Sequence, residues 1–158
     1  AITVKNSTLS TNNVIFENNY AQDNGGAING INTTYTSCED TFKNNYARYG
    51  SAVMLDKNST LYMTKANFDT SIEMYWGLIE LRESMFSISN TKFQDMKSKY
   101  TTSMHAEESI GNITNCSFEN LKVTYSGGAL GFKEFKKDII KHLKVIAKFI
   151  YIRYNNIR

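Results

Sequence analysis

Phenylalanine recurs at Phe16, Phe42, Phe68, Phe93 and Phe118, at intervals of 26, 26, 25 and 25 residues. A fixed period of this length marks a repeat architecture, in which each unit buries against its neighbour what it cannot bury alone. The segments FENNYAQDNGGAI (16–28), FKNNYARYGSAV (42–53), FDTSIEMYWGLI (68–79) and FENLKVTYSGGAL (118–130) share a Phe, a polar turn and a small-residue corner. Seven residues before the successive Phe stand Leu9, Tyr35, Leu61, Phe86 and Gly111, so the period holds at both ends of each unit.

A period near 25 fits a leucine-rich repeat or one turn of a β-helix. The LxxLxL pattern of the former does not occur. Short alternating runs do, such as Tyr62-Met63-Thr64 and Ser87-Ile88-Ser89, separated by Asn, Gly and Asp. Alternation places every second side chain inside. An ordinary apolar fraction of 41% argues against disorder, and the absence of proline with heavy use of Asn, Ser and Thr favours a loop-rich or β-rich chain over a helical bundle. The pattern predicts an all-β fold: a right-handed single-stranded parallel β-helix of about five rungs over residues 1–132. In it the five Phe form one internal column, with successive rungs about 4.8 Å apart. Asn18, Asn44 and Asn120 form a polar ladder at a turn. Gly25-Gly26, Gly50, Gly77 and Gly127-Gly128 mark a corner needing positive φ or close backbone approach. Ala1-Ile2 followed by Asn6-Ser7-Thr8-Leu9 matches Ala52-Val53 followed by Asn58-Ser59-Thr60-Leu61, with one residue inserted. The chain therefore starts in mid-rung, without an initiator Met or signal peptide, and further rungs are expected before residue 1.

Residues 1–132 carry 10 Lys+Arg and 13 Asp+Glu, whereas 133–158 carry 8 and 2. This break sets a second unit, a basic C-terminal segment over 133–158. Ile139, Leu143, Ile146 and Ile150 follow helical spacing, and Lys137, Lys141, Lys144 and Lys148 take another face. The segment reads as a helical or irregular cap on the last rung, with a strand over Phe149–Tyr154 as an alternative. Docking on a membrane surface is a further possibility for its basic face, and nucleic acid is not expected as a partner. No run approaches the roughly 20 apolar residues of a membrane span.

GGAI at 25–28, together with the FxxN elements Phe16–Asn19 and Phe42–Asn45, resembles the repeat of chlamydial polymorphic outer-membrane proteins and similar extracellular β-helix proteins of ciliates. The resemblance covers residues 1–130 and implies a β-helical surface passenger, structural or adhesive, on the cell surface or outside the cell. It decays along the chain. The third unit has WGLI, and FxxN is lost at Ser71, Met96 and Leu121.

Several constellations carry possible chemistry. Asn6, Asn32 and Asn58 open sequons ten residues before a repeat Phe, and Asn112 and Asn115 open two more. In a protein secreted by a eukaryote these are N-glycosylation candidates on exposed turns; otherwise they are turn residues. Asp56, Arg82 and Glu107 fall at one rung position to within one residue, and Glu80 and His105 at another. On one sheet face Glu80, Arg82, His105 and Glu107 could bind a glycan or perform acid–base chemistry; the plainer reading is a ladder of opposite charges. Pectate lyases and polygalacturonases share the β-helix fold, but their clustered Asp ligands and NTD, DD, GHG and RIK elements are missing. No catalytic residue, metal site or cofactor is expected. Cys38 and Cys116 lie three rungs apart, on the order of 14 Å, too far for a disulfide, and read as buried free thiols. Trp76 beside Gly77 reads as packing, with a sugar-stacking platform as the alternative. The sequence thus points to a non-enzymatic surface segment whose partners are further rungs, other subunits or surface glycans. A polysaccharide-active enzyme or glycan-binding module is the alternative, and a membrane-docked protein the next.

Overall fold

The computed structural model describes residues 1–125 and 128–133, together with the backbone of 153–155. Every regular element among the described residues is a β-strand, and every strand pairing is parallel. The chain winds as a β-solenoid of about five coils, each contributing one strand to each of three stacked sheets.

Sheet one holds β1 (Ile2–Lys5), β4 (Ile28–Ile31), β7 (Val53–Asp56), β11 (Ile79–Arg82), β15 (Met104–Glu107) and β19 (Leu130–Lys133). Sheet two holds β2 (Thr8–Asn12), β5 (Thr34–Cys38), β8 (Thr60–Thr64), β12 (Met85–Ser89) and β16 (Ile110–Thr114). Sheet three holds β3 (Ile15–Glu17), β6 (Thr41–Lys43), β9 (Asn67–Asp69), β13 (Lys92–Gln94) and β17 (Ser117–Glu119). Three two-residue strands, β10 (Glu73–Met74), β14 (Lys97–Ser98) and β18 (Lys122–Val123), form a short fourth ladder on the way back to sheet one.

The repeat read from the sequence is the register. Phe16 pairs with Phe42, Phe42 with Phe68, Phe68 with Phe93 and Phe93 with Phe118. Their rings stack in one interior column with centroids 5.0–5.1 Å apart. In sheet two, Leu9, Tyr35, Leu61, Phe86 and Gly111 are likewise in line. Gly111 closes that column because Phe86 fills its place: a Cβ there would lie 2.5 Å from the Phe86 ring.

Between sheets the chain must turn sharply, and at most corners one residue sits in the left-handed region; the first corner of the third coil has two, Lys57 and Asn58. Asn6, Asn32, Asn58, Glu83 and Glu108 do so at the first corner, and Asn13, Glu39, Lys65, Asn90 and Asn115 at the second. Asn18, Asn44, Asp95 and Asn120 do so at the third. Asparagine tolerates this conformation better than other non-glycine residues, which accounts for the asparagines that stand between the strands. The expected Gly corner takes both forms, and Gly127 lies outside the described residues. Gly25 and Gly50 have positive φ, whereas Gly26 and Gly77 are close approaches of backbone to backbone.

Two strands are described at the end of the chain. β19 runs through Lys133, so the repeat pattern passes the composition break by one residue. The backbone of β20 (Arg153–Asn155) pairs parallel with β19, in line with the strand alternative there. The helical periodicity over 133–150, and with it the cap, lies outside the described residues.

Candidate functional site

Strand alternation turns Asn29, Met54, Glu80 and His105 to the outside of sheet one, in register with one another. Such positions normally meet water. Yet Met54 and Glu80 are only 1% exposed. The corner leading into the sheet carries a row of aromatic side chains, Tyr49, Trp76 and Tyr100, and this row shields the sheet. The Trp76 ring lies 5.3 Å from that of His105, and the Arg82 guanidinium sits 4.7 Å over Tyr49. The missing side chain of Gly131 completes the cover, because a Cβ there would be 2.9 Å from the Thr101 hydroxyl.

Under this cover the charged residues converge. Glu80 Oε1 accepts from Arg82 Nε at 3.2 Å, lies 3.2 Å from Arg82 Nη2, and is 3.0 Å from His105 Nδ1. Glu80 Oε2 is buried without a hydrogen-bond partner, a cost of about 1–3 kcal/mol for a group of this kind. Two residues further along the strand, Arg82 is in register with Glu107, which is bonded to Lys133 of the next coil. The Lys133 ammonium, aided by the charges of His105 and Arg82, holds the Glu107 carboxyl below its usual range. Glu80, Arg82, His105 and Glu107 are therefore brought together, as the repeat phase had placed them. Asp56, at the end of β7, makes no ion pair among the described residues. Chemically the cluster is a cross-coil electrostatic clamp: both carboxylates are committed to cations, and one is sealed from solvent.

The other candidates are placed as follows. Asn6, Asn32, Asn58, Asn112 and Asn115 are all exposed. Asn6, Asn32 and Asn58 occupy successive copies of the first corner, and Asn32 Nδ2 donates to Asn6 Oδ1 at 3.0 Å. Both thiols are free, but only Cys116 is buried. Burial pushes its thiol pKa up. Cys38 is half-exposed, contrary to the reading of both as buried, because it ends β5 on the outward phase of the alternation. Trp76 is flanked by Tyr49 at 6.3 Å and Tyr100 at 4.7 Å, both roughly parallel to it. Its faces are used in stacking, so the packing reading holds. No group of His, Cys, Asp or Glu among the described residues is arranged to hold a metal ion. A cavity of about 530 Å³ lined by Asp95, Met96, Lys97, Asn120, Leu121 and Lys122 shares no residue with the charged cluster.

The aromatic row went unread in the sequence. Tyr49, Trp76, Tyr100 and Tyr125 are spaced by 27, 24 and 25 residues, and Arg48, Tyr75 and Lys99 by 27 and 24. The signal is present, but unequal corner lengths blur it.

The motif residues themselves have structural employment. Asn45 Oδ1 accepts from the N–H and Nδ2 of Asn19 at 3.0 and 2.9 Å, and Asn45 Nδ2 donates to the Phe16 carbonyl at 2.8 Å. The FxxN asparagines thus staple one coil to the next. Where FxxN is lost, Met96 is fully buried and Leu121 packs on the core, replacing the staple by apolar contact. In GGAI, Gly25 supplies a positive φ, Gly26 leaves room for the Ser51 carbonyl, and Ala27 and Ile28 are fully buried. The chain matches no curated protein and no solved structure at significance. A family model does match, over residues 13–31, which hold both motifs: that of the Chlamydia polymorphic membrane protein repeat.

Proposed function

We propose that this chain is a segment of a surface-displayed, non-enzymatic β-solenoid that serves as a structural and adhesive body. The observation that carries the reading is the way its charges are spent. Lys43 pairs with Glu17, Lys65 with Glu39, Lys92 with Glu119 and Lys133 with Glu107, each across coils. Such pairs hold coils in register, though each is worth little alone. The acid most suggestive of chemistry, Glu80, lies beneath Arg82 and His105 instead of facing a cleft. The repeat match adds a family named for membrane proteins, which supports display at the cell surface. No helix among the described residues is long and apolar enough to cross a membrane.

Two measurements test this. Antibody raised against the purified chain should label intact cells of the source organism; labelling only after permeabilisation would refute surface display. Assays on neutral and acidic polysaccharides should show no turnover. Turnover abolished by Glu80→Gln or Glu107→Gln would establish the enzyme in place of the structural body. The exposed first corner adds a conditional expectation. If the source secretes through a glycosylating pathway, mass spectrometry should find sugar at Asn6, Asn32 or Asn58, and unmodified asparagines at all three would reduce them to turn residues.

A further inference from the structure

The corner leading into sheet one carries two parallel columns of side chains. In the first, the Arg48 guanidinium lies 5.6 Å and the Lys99 ammonium 5.2 Å from the ring centre of Tyr75. In the second, Tyr49, Trp76, Tyr100 and Tyr125 follow at 6.3, 4.7 and 5.8 Å. Backbone bonds fix the columns in line: Trp76 N–H donates to Arg48, Lys99 N–H to Met74, and Tyr125 N–H to Lys99.

Two properties distinguish this corner. The first is charge. Among the described residues Arg48 and Lys99 make no ion pair; Lys5, Lys57, Lys97 and Lys122 make none either, but Arg48 and Lys99 alone of these six cations are seated on a ring. The neighbouring carboxylate of Glu73 accepts a hydrogen bond from the Thr124 hydroxyl at 3.3 Å. The second property is ring orientation. Rings stacked along the column cover each other's faces and leave their edges for solvent. The edge is the positive end of the ring quadrupole, and in tyrosine it carries a hydroxyl able to donate.

We propose that this corner binds an extended acidic polysaccharide, laid along the solenoid axis with its carboxylate or sulfate groups on Arg48 and Lys99. The inference rests on the adhesive half of the function proposed above and gives it a ligand class. Guanidinium and ammonium groups already posed on Tyr75 lose little freedom on binding, and an Arg can meet an anionic group with two parallel hydrogen bonds. Phenol hydroxyls supply donors for the sugar ring oxygens. A single-stranded nucleic acid fits less well, because its bases need open ring faces and this column uses most of its own.

The basic segment 133–158 will attract any polyanion, so the test is a difference measurement on the full chain. Fluorescently labelled heparin and polygalacturonate oligosaccharides are titrated by anisotropy into wild type, Arg48→Ala/Lys99→Ala and Lys43→Ala/Lys65→Ala, beside single-stranded DNA of equal charge. The corner variant should bind at least one of the two oligosaccharides about tenfold more weakly than wild type, while the control variant, with the same charge removed, stays near wild type. Unaltered circular dichroism and melting of both variants assign the loss to the surface. Equal losses in the two variants, no loss in the corner variant, or no binding by wild type would overturn the proposal. DNA bound as tightly as the sugars, with the same dependence on Arg48 and Lys99, would also overturn it. Surface labelling of cells is read independently, so failure here leaves the display reading standing or falling on its own result.

Discussion

At the scale of single residues, asparagine does two different jobs in this chain, and its position within a coil decides which. At the corners it accepts a left-handed backbone, as at Asn6, Asn18 and Asn90. Inside the third corner, Asn45 is 2% exposed and satisfies three polar groups of the preceding coil. Asn45→Ala should therefore destabilise the chain by about 1–3 kcal/mol, through the polar groups it strands, as a lowered urea midpoint would show. The same change at exposed Asn90 should have a smaller effect. Tyr35 makes a second residue-scale case. Its hydroxyl meets Thr11 at 3.0 Å, beside the fully buried Asp40, and burial pushes its pKa up to about 12. The unfolded phenol ionises near pH 10. The unfolded state therefore loses its proton first, and stability falls as pH rises from about 10 to about 12. Tyr35→Phe should flatten that alkaline limb in stability measured against pH; an unchanged limb would contradict the assignment.

At the scale of elements, the unit of cohesion is the column across coils, not the strand along the chain. The five stacked phenylalanines are the aromatic example. Phe68 is fully buried between Phe42 and Phe93, so Phe68→Ala should cost about 3–5 kcal/mol. Phe16 has a stacked neighbour on one side and is 7% exposed, so its loss should cost less; equal costs would argue against column cohesion. The outer charged row behaves differently, because its value depends on pH. The Glu107 carboxyl is held low chiefly by Lys133. A depressed acid lends stability that is complete above the ordinary carboxylate range and is lost as pH falls through the folded value. Glu107→Gln should thus lower stability at neutral pH and leave a shallower acid limb, both read from urea midpoints across pH 2–7.

For the whole molecule, the sequence disclosed whatever recurred at a constant interval. The Phe column, the Leu9–Gly111 column and the meeting of Glu80 with His105 all followed from a period of 25–26 residues. What stayed hidden was set by corners of unequal length. Tyr49 and Tyr100 stand seven residues after their Phe but Trp76 eight, a slip of one residue against the Phe period, and the folded chain shows that the three line up. Cys38 was misplaced for a related reason: its phase depends on where β5 ends, which a period cannot report. The charged cluster was legible as a set, but its burial was not, since the residues that cover it belong to the drifting row.

One corner has a bearing on how such a chain can change over time. In the third coil the first corner holds an extra residue, and Lys57 and Asn58 both adopt positive φ where its equivalents need one such residue. Ile31 is paired with Asp56 before the corner, and pairing resumes with Thr34 opposite Thr60 after it. The added length is absorbed within a single turn, and the alternation of every later strand is unaffected. Inside a strand the same insertion would turn every following side chain inside out. Corners therefore act as places where length can be gained or lost without loss of frame, so surface-facing loops can diverge from coil to coil while the interior columns keep their order.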